Sequence, residues 1–376
     1  MSKLFTYSNP VALEYLAGGS FDLSNCFSRD GTVCAILSPS VESYHAALIE
    51  SLGGNVVIRH GVGSNPDIQD VEQIDVPSDC SEILAVGGGS TLDAARGCFA
   101  KCLTGFKYSL SDLVETPELF VEGAKVRSEY SLTMIPTTFG TSSELTSWAT
   151  IWDRSGKRKH SISHPSLYAD RAFIRPELSV SLPLDSTLST GLDVFSHALE
   201  SFWNKRASFI TRTLSLQAIE LCVTHLPKLS KDLKSLHHRS GMARASMMAG
   251  LAFSQTRTAS AHAMSYPLTM FHGIPHGFAC SLTLGALFEG NESELPELSK
   301  VYEILDRSYG SKCQSFESCF KSFLEDCGAP TALGHFGVRD QDVQNLVKHA
   351  FHPERMHNML RELSREDVEA IYRRVL

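Results

Sequence analysis

Residues 81–97 read Ser-Glu-Ile-Leu-Ala-Val-Gly-Gly-Gly-Ser-Thr-Leu-Asp-Ala-Ala-Arg-Gly, and this stretch decides the fold. The apolar run Ile83 to Val86 predicts a buried strand, Gly87, Gly88 and Gly89 a tight turn, and Ser90 or Thr91 the cap of a helix beginning near Leu92. A strand that turns through glycines into a helix gathers backbone N–H groups and the positive end of the helix dipole in one place. A pyrophosphate can approach there with no Cβ in the way. The pattern is not Gly-x-Gly-x-x-Gly, so it is no ordinary dinucleotide fingerprint. Taken alone it is also what a plain strand-to-helix connection looks like, and its neighbours must decide.

Outward from this turn, short apolar strands alternate with helical segments, the signature of a parallel sheet covered on both faces. Strands are predicted at Val33 to Leu37, Val56 to Arg59, Ile83 to Val86, Leu132 to Ile135 and Ala172 to Ile174, with a hairpin over Ser147 to Ile162. Beyond Leu182-Pro183-Leu184 the strand signals give way to long helical patterns. The expected fold class is therefore an α/β, Rossmann-like N-terminal domain (residues 1–182) joined to an all-α C-terminal domain (residues 183–376). The last helix has a start at Ser364, acidic Glu366 and Asp367 in its first turn and basic Arg373 and Arg374 at its end, all complementing the dipole.

Two further constellations carry chemistry. Ile135-Pro136-Thr137-Thr138-Phe139-Gly140-Thr141-Ser142-Ser143-Glu144 follows a predicted strand and crowds small hydroxyls into one loop, able to hold a dinucleotide or simply to cap its own backbone. In the helical half, Asp193 and His197 stand four apart on one helix face, and His262 and His276 would close a site around one cation. Three imidazoles and a carboxylate suit Fe(II) or Zn(II) better than Ca(II) or Mg(II).

Composition sets bounds. At 376 residues the chain exceeds the size of one core, and 43% apolar residues supply two. A net charge of −8 argues against nucleic-acid and anionic-membrane partners. The basic run Lys157-Arg158-Lys159 reads first as a solvated hairpin arm and second as a phosphate contact. The ten cysteines, with no secretory leader before them, are expected to be reduced thiols of a cytoplasmic protein. No apolar stretch reaches the ~18 residues that span a bilayer.

The order and spacing of these motifs resemble the iron-dependent (group III) alcohol dehydrogenase family, which shares its fold with dehydroquinate synthase. The resemblance covers Gly61-Val62 with Asn65-Pro66, Gly87-Gly88-Gly89-Ser90 with Asp93, and Pro136-Thr137-Thr138 with Gly140-Thr141 and Ser143-Glu144. It continues through Gly191-Leu192-Asp193 with His197 and Glu200, then His262 and Pro275-His276-Gly277. It implies Fe(II) or Zn(II) on Asp193, His197, His262 and His276. It also implies NADH or NADPH, with the pyrophosphate over Gly88, Gly89 and Ser90 and with Asp93, Thr137, Thr138 and Thr141 completing the site. Hydride transfer is expected in the cleft between the two halves, and the enzyme is expected to be a homodimer.

The departures bear on substrate and cofactor. Tyr266 stands where many members carry a proton-relaying histidine, so Tyr266, His272 or water is left to supply the proton. Ser142, Phe139 and Arg96 stand where glycine, alanine and lysine are common. After the first predicted strand Ser38, Pro39 and Ser40 offer no carboxylate to repel a 2′-phosphate, which favours NADPH. Glu200 is a candidate partner for the imidazole of His197, or else a salt-bridged helix carboxylate. Trp148, Thr150, Phe253 and Tyr266 fall at pocket-lining positions by the resemblance. Arg257, on a continuous helix with Phe253 and His262, would face the same pocket and call for an anionic guest unless a protein carboxylate takes it. The combination also resembles the branch containing phosphonoacetaldehyde reductases, which implies reduction of phosphonoacetaldehyde to 2-hydroxyethylphosphonate. The alternatives are a dehydrogenase of a neutral alcohol or diol and a dehydroquinate synthase-like lyase.

Overall fold

The structure, a computed structural model, describes residues 5–19, 21–26, 31–52, 55–156, 158–351 and 353–376. It divides into a helical unit, comprising Met1–Ser8, Phe139–Thr141 and Leu182–Leu376, and a sheet unit, comprising Asn9–Thr138 and Ser142–Ser181.

The sheet unit is built on β1 (Ala12–Tyr15), β2 (Thr32–Leu37), β3 (Val56–His60), β4 (Cys80–Gly87), β5 (Ser131–Pro136) and, after a hairpin of β6 (Trp148–Asp153) and β7 (Arg158–Ser163), β8 (Arg171–Ile174). The six-stranded sheet runs β1-β8-β5-β4-β2-β3 and its pairings are all parallel. Its central strands are apolar at successive positions because both faces are covered. Cys34, Ile36, Ile83, Ala85, Leu132 and Met134 enter one buried cluster. The alternate residues Val33, Ala35, Leu37, Leu84, Val86 and Ile135 enter another. Helix α1 (Gly89–Leu103) packs on the first of these faces through Leu92, Ala95 and Phe99.

Chain travel reverses beside β2, since β3 lies on one side of it and β4, β5 and β8 continue on the other. In open parallel sheets, ligands bind outside the carboxyl ends of the strands at such a reversal. The glycine turn follows β4 there.

In the hairpin the Asp153 carboxylate accepts from Gly156 N–H at 2.8 Å and from the Ser155 hydroxyl at 2.6 Å, closing the turn. Of the basic run beyond it, Lys157 lies outside the described residues, Arg158 is exposed and Lys159 lies over the Trp152 ring at 5.3 Å. All ten cysteines are free thiols. Cys98 and Cys102 are buried in α1, and burial pushes the Cys98 thiol up to about 12.

The helical unit contains α2 (Leu184–Phe202), α3 (Phe209–Leu229), α4 (Leu236–Thr256), α5 (Ser260–His272), α6 (His276–Ser281) and, after several shorter helices, α7 (Arg365–Arg374). Every residue of α2 from Gly191 to Phe202 is buried, so this helix is a core element rather than a surface amphipath. Gly191 permits its close contact with α3, where a Cβ would stand 2.5 Å from Leu226. Ser364 caps α7 in a capping box with Asp367, as its sequence predicts. No helix among the described residues is long and apolar enough to cross a membrane.

Candidate metal centre and nucleotide turn

Asp193 and His197 lie one turn apart on α2 and are both almost fully buried. His262 stands in the first turn of α5. At the other end of that helix Gly273 adopts a left-handed conformation (φ 64°), Pro275 follows, and the chain doubles back so that His276 opens α6. The His276 ring thereby returns to 5.3 Å from that of His262. Nitrogens of three histidines surround one carboxylate oxygen: His262 Nε2 at 3.4 Å, His276 Nε2 at 3.8 Å and His197 Nδ1 at 3.8 Å from Asp193 Oδ1.

Neither Asp193 Oδ1 nor His262 Nε2, both buried, has a hydrogen-bond partner. Two orphaned polar atoms facing each other would cost several kcal/mol in an interior that held nothing between them. A shared cation removes that cost, so the donor set fits a divalent ion. Charge points the same way. Burial works to raise the Asp193 carboxyl, but His197, His276 and His262 together hold it well below the usual carboxylate range. Burial opposes protonation of His262, yet Cys280, Glu200 and Asp193 outweigh it and raise its pKa. The cluster thus calls for positive charge at its centre.

The atoms around these side chains fix their orientation. Glu200, itself 1% exposed, accepts from His262 Nδ1 at 2.7 Å and from the amides of Ala259 and Ala261 at 2.7 and 2.6 Å. It is therefore the partner of His262, not of His197 as expected, and also the cap of α5. With the Nδ1 proton directed at Glu200, His262 turns an Nε2 lone pair toward Asp193, the usual arrangement behind a metal-binding imidazole. His197 Nδ1 lies 3.3 Å from the Gly140 carbonyl, and its ring stacks on Phe253 at 4.0 Å and on His262 at 4.5 Å. The atoms that lie within 4.8 Å of one another come from Asp193, His262, His276 and Cys280. His197 flanks that group through its ring contacts. The Cys280 thiol, 3.7 Å from His276 Nε2, was missed in the sequence although His276 and Cys280 have the i, i+4 spacing that marked Asp193 and His197. His276 has the most exposed side chain of these and marks the open side of the cluster.

One expectation about this region needs correction. Phe253 and His262 do not share one continuous helix, because α4 stops at Thr256 and α5 begins at Ser260. Arg257 between them has φ 67° and ψ 175°, a region that L-residues seldom occupy. The helix cannot run on through that conformation. His272 ends α5 ten residues past His262, and the chain then turns so that His276, four residues on, is back beside His262. Tyr266, one turn past His262, remains near. Its ring lies under the guanidinium of Arg355 at 4.7 Å.

In the sheet unit, Ser38 and Ser40 follow β2, Gly87 ends β4 with Gly88 to Ser90 after it, and Thr137 and Thr138 follow β5, at the carboxyl ends of three adjacent parallel strands. The turn is tight. Gly87 O accepts from Thr137 N at 2.9 Å, and a Cβ on Gly87 would stand 2.7 Å from Thr91 and 2.8 Å from Ser38. The helix cap is Gly88 and not Ser90 or Thr91, because α1 starts at Gly89, three residues before the expected Leu92. The Ser90 hydroxyl accepts from Asn65 N at 3.2 Å instead. No side chain caps the first turn of α1, which leaves a cradle of glycine backbone suited to an anion.

Asp93 is differently engaged: its two oxygens take Arg96 Nη1 at 3.3 Å and the Thr150 amide at 3.0 Å. Arg96 is fully buried, with Leu167 O at 3.0 Å, Trp148 O at 2.8 Å and Ser143 O as further acceptors. Of the residues expected to line the pocket, Trp148 and Thr150 sit on β6 in the sheet unit, while Phe253 and Arg257 belong to the helical unit. Thr141 belongs with the helical unit, next to the Gly140 carbonyl that meets His197. Ser142 is left-handed (φ 47°), which explains why glycine suits this position.

Residues 187–376 match the Fe-containing alcohol dehydrogenase family, C-terminal, and residues 21–176 match iron-containing alcohol dehydrogenase. The chain belongs to the iron-containing alcohol dehydrogenase family. It is an oxidoreductase with the dehydroquinate synthase-like fold, of a family that works with a divalent metal and NAD(P). It is 30% identical, over 100% of its length and 96% of the relative's, to choline dehydrogenase of Bacillus subtilis (strain 168). It is 31% identical to sulfoacetaldehyde reductase of Bilophila wadsworthia (strain 3_1_6), over 77% of this chain and 75% of that one. A phosphonoacetaldehyde reductase of Streptomyces viridochromogenes is 27% identical over 76% of this chain and 73% of its own. Among solved structures, sulfoacetaldehyde reductase from Bifidobacterium kashiwanohense in complex with NAD+ superposes with a TM-score of 0.83 at 26% identity, covering 100% of this chain and 99% of that one.

Proposed function

We propose that this family member is an NAD(P)H-dependent reductase of a small aldehyde bearing an oxyanion group, with phosphonoacetaldehyde or its sulfonate analogue as substrate and the corresponding alcohol as product. The observation that carries the proposal is a pair of guanidiniums beside the metal residues. Arg355 lies over Tyr266, and burial together with the nearby charge of Arg257 pulls it down to about 10, against the opposing pull of Glu200. Glu200 is a protein carboxylate that already acts on Arg355, and an anionic substrate group is a further partner that the two guanidiniums can share. A phosphonate or sulfonate on the carbon next to the aldehyde is such an anion. The sulfoacetaldehyde and phosphonoacetaldehyde reductases among the relatives act on substrates of this kind.

In this reading Asp193, His197, His262 and His276 hold the ion. When bound, the ion polarises the aldehyde carbonyl and the reduced nicotinamide supplies the hydride. Glu200 holds the His262 tautomer and the Gly140 carbonyl holds His197 Nδ1. Arg257 and Arg355 bind the anionic end and orient the carbon. Tyr266 donates the proton that converts alkoxide to alcohol, and Arg355 over its ring favours the phenolate left behind. Gly87, Gly88, Gly89 and Ser90 carry the pyrophosphate, with Thr137 and Thr138 beside it. Ser38 and Ser40, whose hydroxyls lie 2.8 Å apart, accept a 2′-phosphate, so NADPH serves at least as well as NADH. A homodimer is the assembly we propose.

The test is oxidation of NADPH and NADH by chelator-stripped protein reloaded with Fe(II) or Zn(II), across phosphonoacetaldehyde, sulfoacetaldehyde, glycolaldehyde and butyraldehyde. Arg257→Met and Arg355→Met should each raise KM for the anionic aldehydes about 10- to 100-fold, the loss of one charge-assisted contact, and change KM for butyraldehyde little. Equal effects on charged and neutral aldehydes would refute the anionic substrate. Nucleotide binding without net turnover of any aldehyde would favour a lyase instead.

A further inference from the structure

A second group of histidines lies in the helical unit, sharing no residue with the first. His225 is in the last turns of α3, and His237 and His238 are in the first turn of α4. His225 Nδ1 and His238 Nδ1 are 3.0 Å apart, and the three rings stand 5.0 to 5.3 Å from one another. One nitrogen from each ring lies within 4.8 Å of the other two. We propose that His225, His237 and His238 form a second transition-metal site, for a borderline ion of the Zn(II) class, that ties α3 to the start of α4.

Three observations carry this. The first is spacing. Two nitrogens bound to one tetrahedral ion at 2.0–2.1 Å stand roughly 3.3 Å apart, so an ion replacing the proton between His225 and His238 needs a shift of only a few tenths of an ångström. The second is a prepared gap. Gly241 is one turn beyond His237, and a Cβ there would stand 2.3 Å from the Cγ and Cδ2 atoms of His225. This glycine is what lets the α3 imidazole, 6% exposed, approach the α4 backbone beneath the other two rings. The third is donor chemistry. Imidazole is a donor that suits a borderline ion of this class, and three of them converge here with His225 buried among them. His237 is exposed, so it can turn toward the ion and leave the fourth position to water.

Charges nearby set the strength. Lys228 and Arg244 repel a cation at His225, while Asp232 favours one beside His238. The site should therefore be weaker than the buried one, and without a carboxylate ligand it should favour Zn(II), Cu(II) or Ni(II) over Mg(II) or Mn(II). A consequence is that the metal content of the purified protein exceeds what its chemistry uses.

The experiment is zinc stoichiometry of the full chain after equilibrium dialysis against a slight excess of Zn(II). The expected results are two equivalents for the native protein, one for His237→Gln/His238→Gln with NAD(P)H oxidation unchanged, and one for Asp193→Asn with oxidation lost. Gly241→Ala should also drop to one equivalent by displacing His225 while removing no donor. In the Asp193→Asn background, excess Zn(II) should raise the melting temperature, and adding the two glutamines should abolish that rise. One equivalent in the native protein, or two in the double glutamine variant, overturns the proposal.

Discussion

Replacing Glu200 with Gln is the sharpest probe of the metal centre, because it keeps shape and removes only the capacity to accept on both sides. Glu200 Oε2 takes His262 Nδ1 and the Ala259 amide, and Oε1 takes the Ala261 amide at 2.6 Å and the His262 amide at 3.3 Å. A glutamine keeps one oxygen and offers an NH2 on the other side. If the oxygen faces Ala261, the NH2 meets two donors. The His262 ring can relieve one conflict by moving its proton to Nε2, but that proton then points at Asp193, where the ion should be. The remaining unpaired amide costs about 1–3 kcal/mol in the interior, and outer-shell losses of this kind cost roughly 10–100-fold in metal affinity. We expect Glu200→Gln to lower the melting temperature of the metal-free protein and to weaken Zn(II) binding by one to two orders of magnitude in a competitive chelator titration. NADPH binding should be preserved. Native metal affinity in a folded Glu200→Gln protein would refute the argument that this carboxylate sets the His262 tautomer.

Glu144, 2% exposed, gives a pH dependence with a definite sign. Burial pushes its carboxyl up to about 7 from an unfolded value of 4.5, Arg96 opposing. Because the folded pKa is the higher, this contribution is complete below pH 4.5 and is lost as pH rises through 7. Denaturant unfolding should show a decline of at most about 3 kcal/mol over that window, and Glu144→Gln should flatten it. Gly277→Ala places a Cβ 1.7 Å from Ser189 O, one residue from His276, so metal content should fall while NADPH binding, read by fluorescence, persists. Gly87→Ala should do the reverse, since its Cβ strikes Thr91 and Ser38 in the nucleotide turn and leaves the metal residues alone.

Much of this fold was legible because its signals are local. The runs around Ile36, Leu84 and Ile135 are apolar at successive positions, which only a strand buried on both faces requires, and all three proved central. β1 was missed for the complementary reason: Ala12-Leu13-Glu14-Tyr15 pairs only with β8, has no buried position, and so carries no apolar pattern. Asp193 and His197 could be paired from their spacing on one helix. Groups that meet through tertiary folding left no such mark. Neither the Gly140 carbonyl at His197 nor Arg355 over Tyr266 is close in sequence to what it serves.

The break between α4 and α5 was hidden more deeply, and it shows how the site is made. Nothing about Arg-Thr-Ala announces the end of a helix, and an arginine at φ 67° is locally unfavourable by about 1–3 kcal/mol. What compensates is distant. Asn204 donates to the Arg257 carbonyl at 3.3 Å, and Glu200 collects the amides at the start of α5. Both come from α2 or the residues just after it, the segment that carries Asp193 and His197. The helix that carries Asp193 and His197 thus also dictates where the next helix must stop and restart, and the restart sets His262 against Asp193. Strain at Arg257 and placement of His262 follow from the same few contacts, so relieving the strain with Arg257→Gly should leave metal affinity intact. Removing the contact with Asn204→Ala should weaken it.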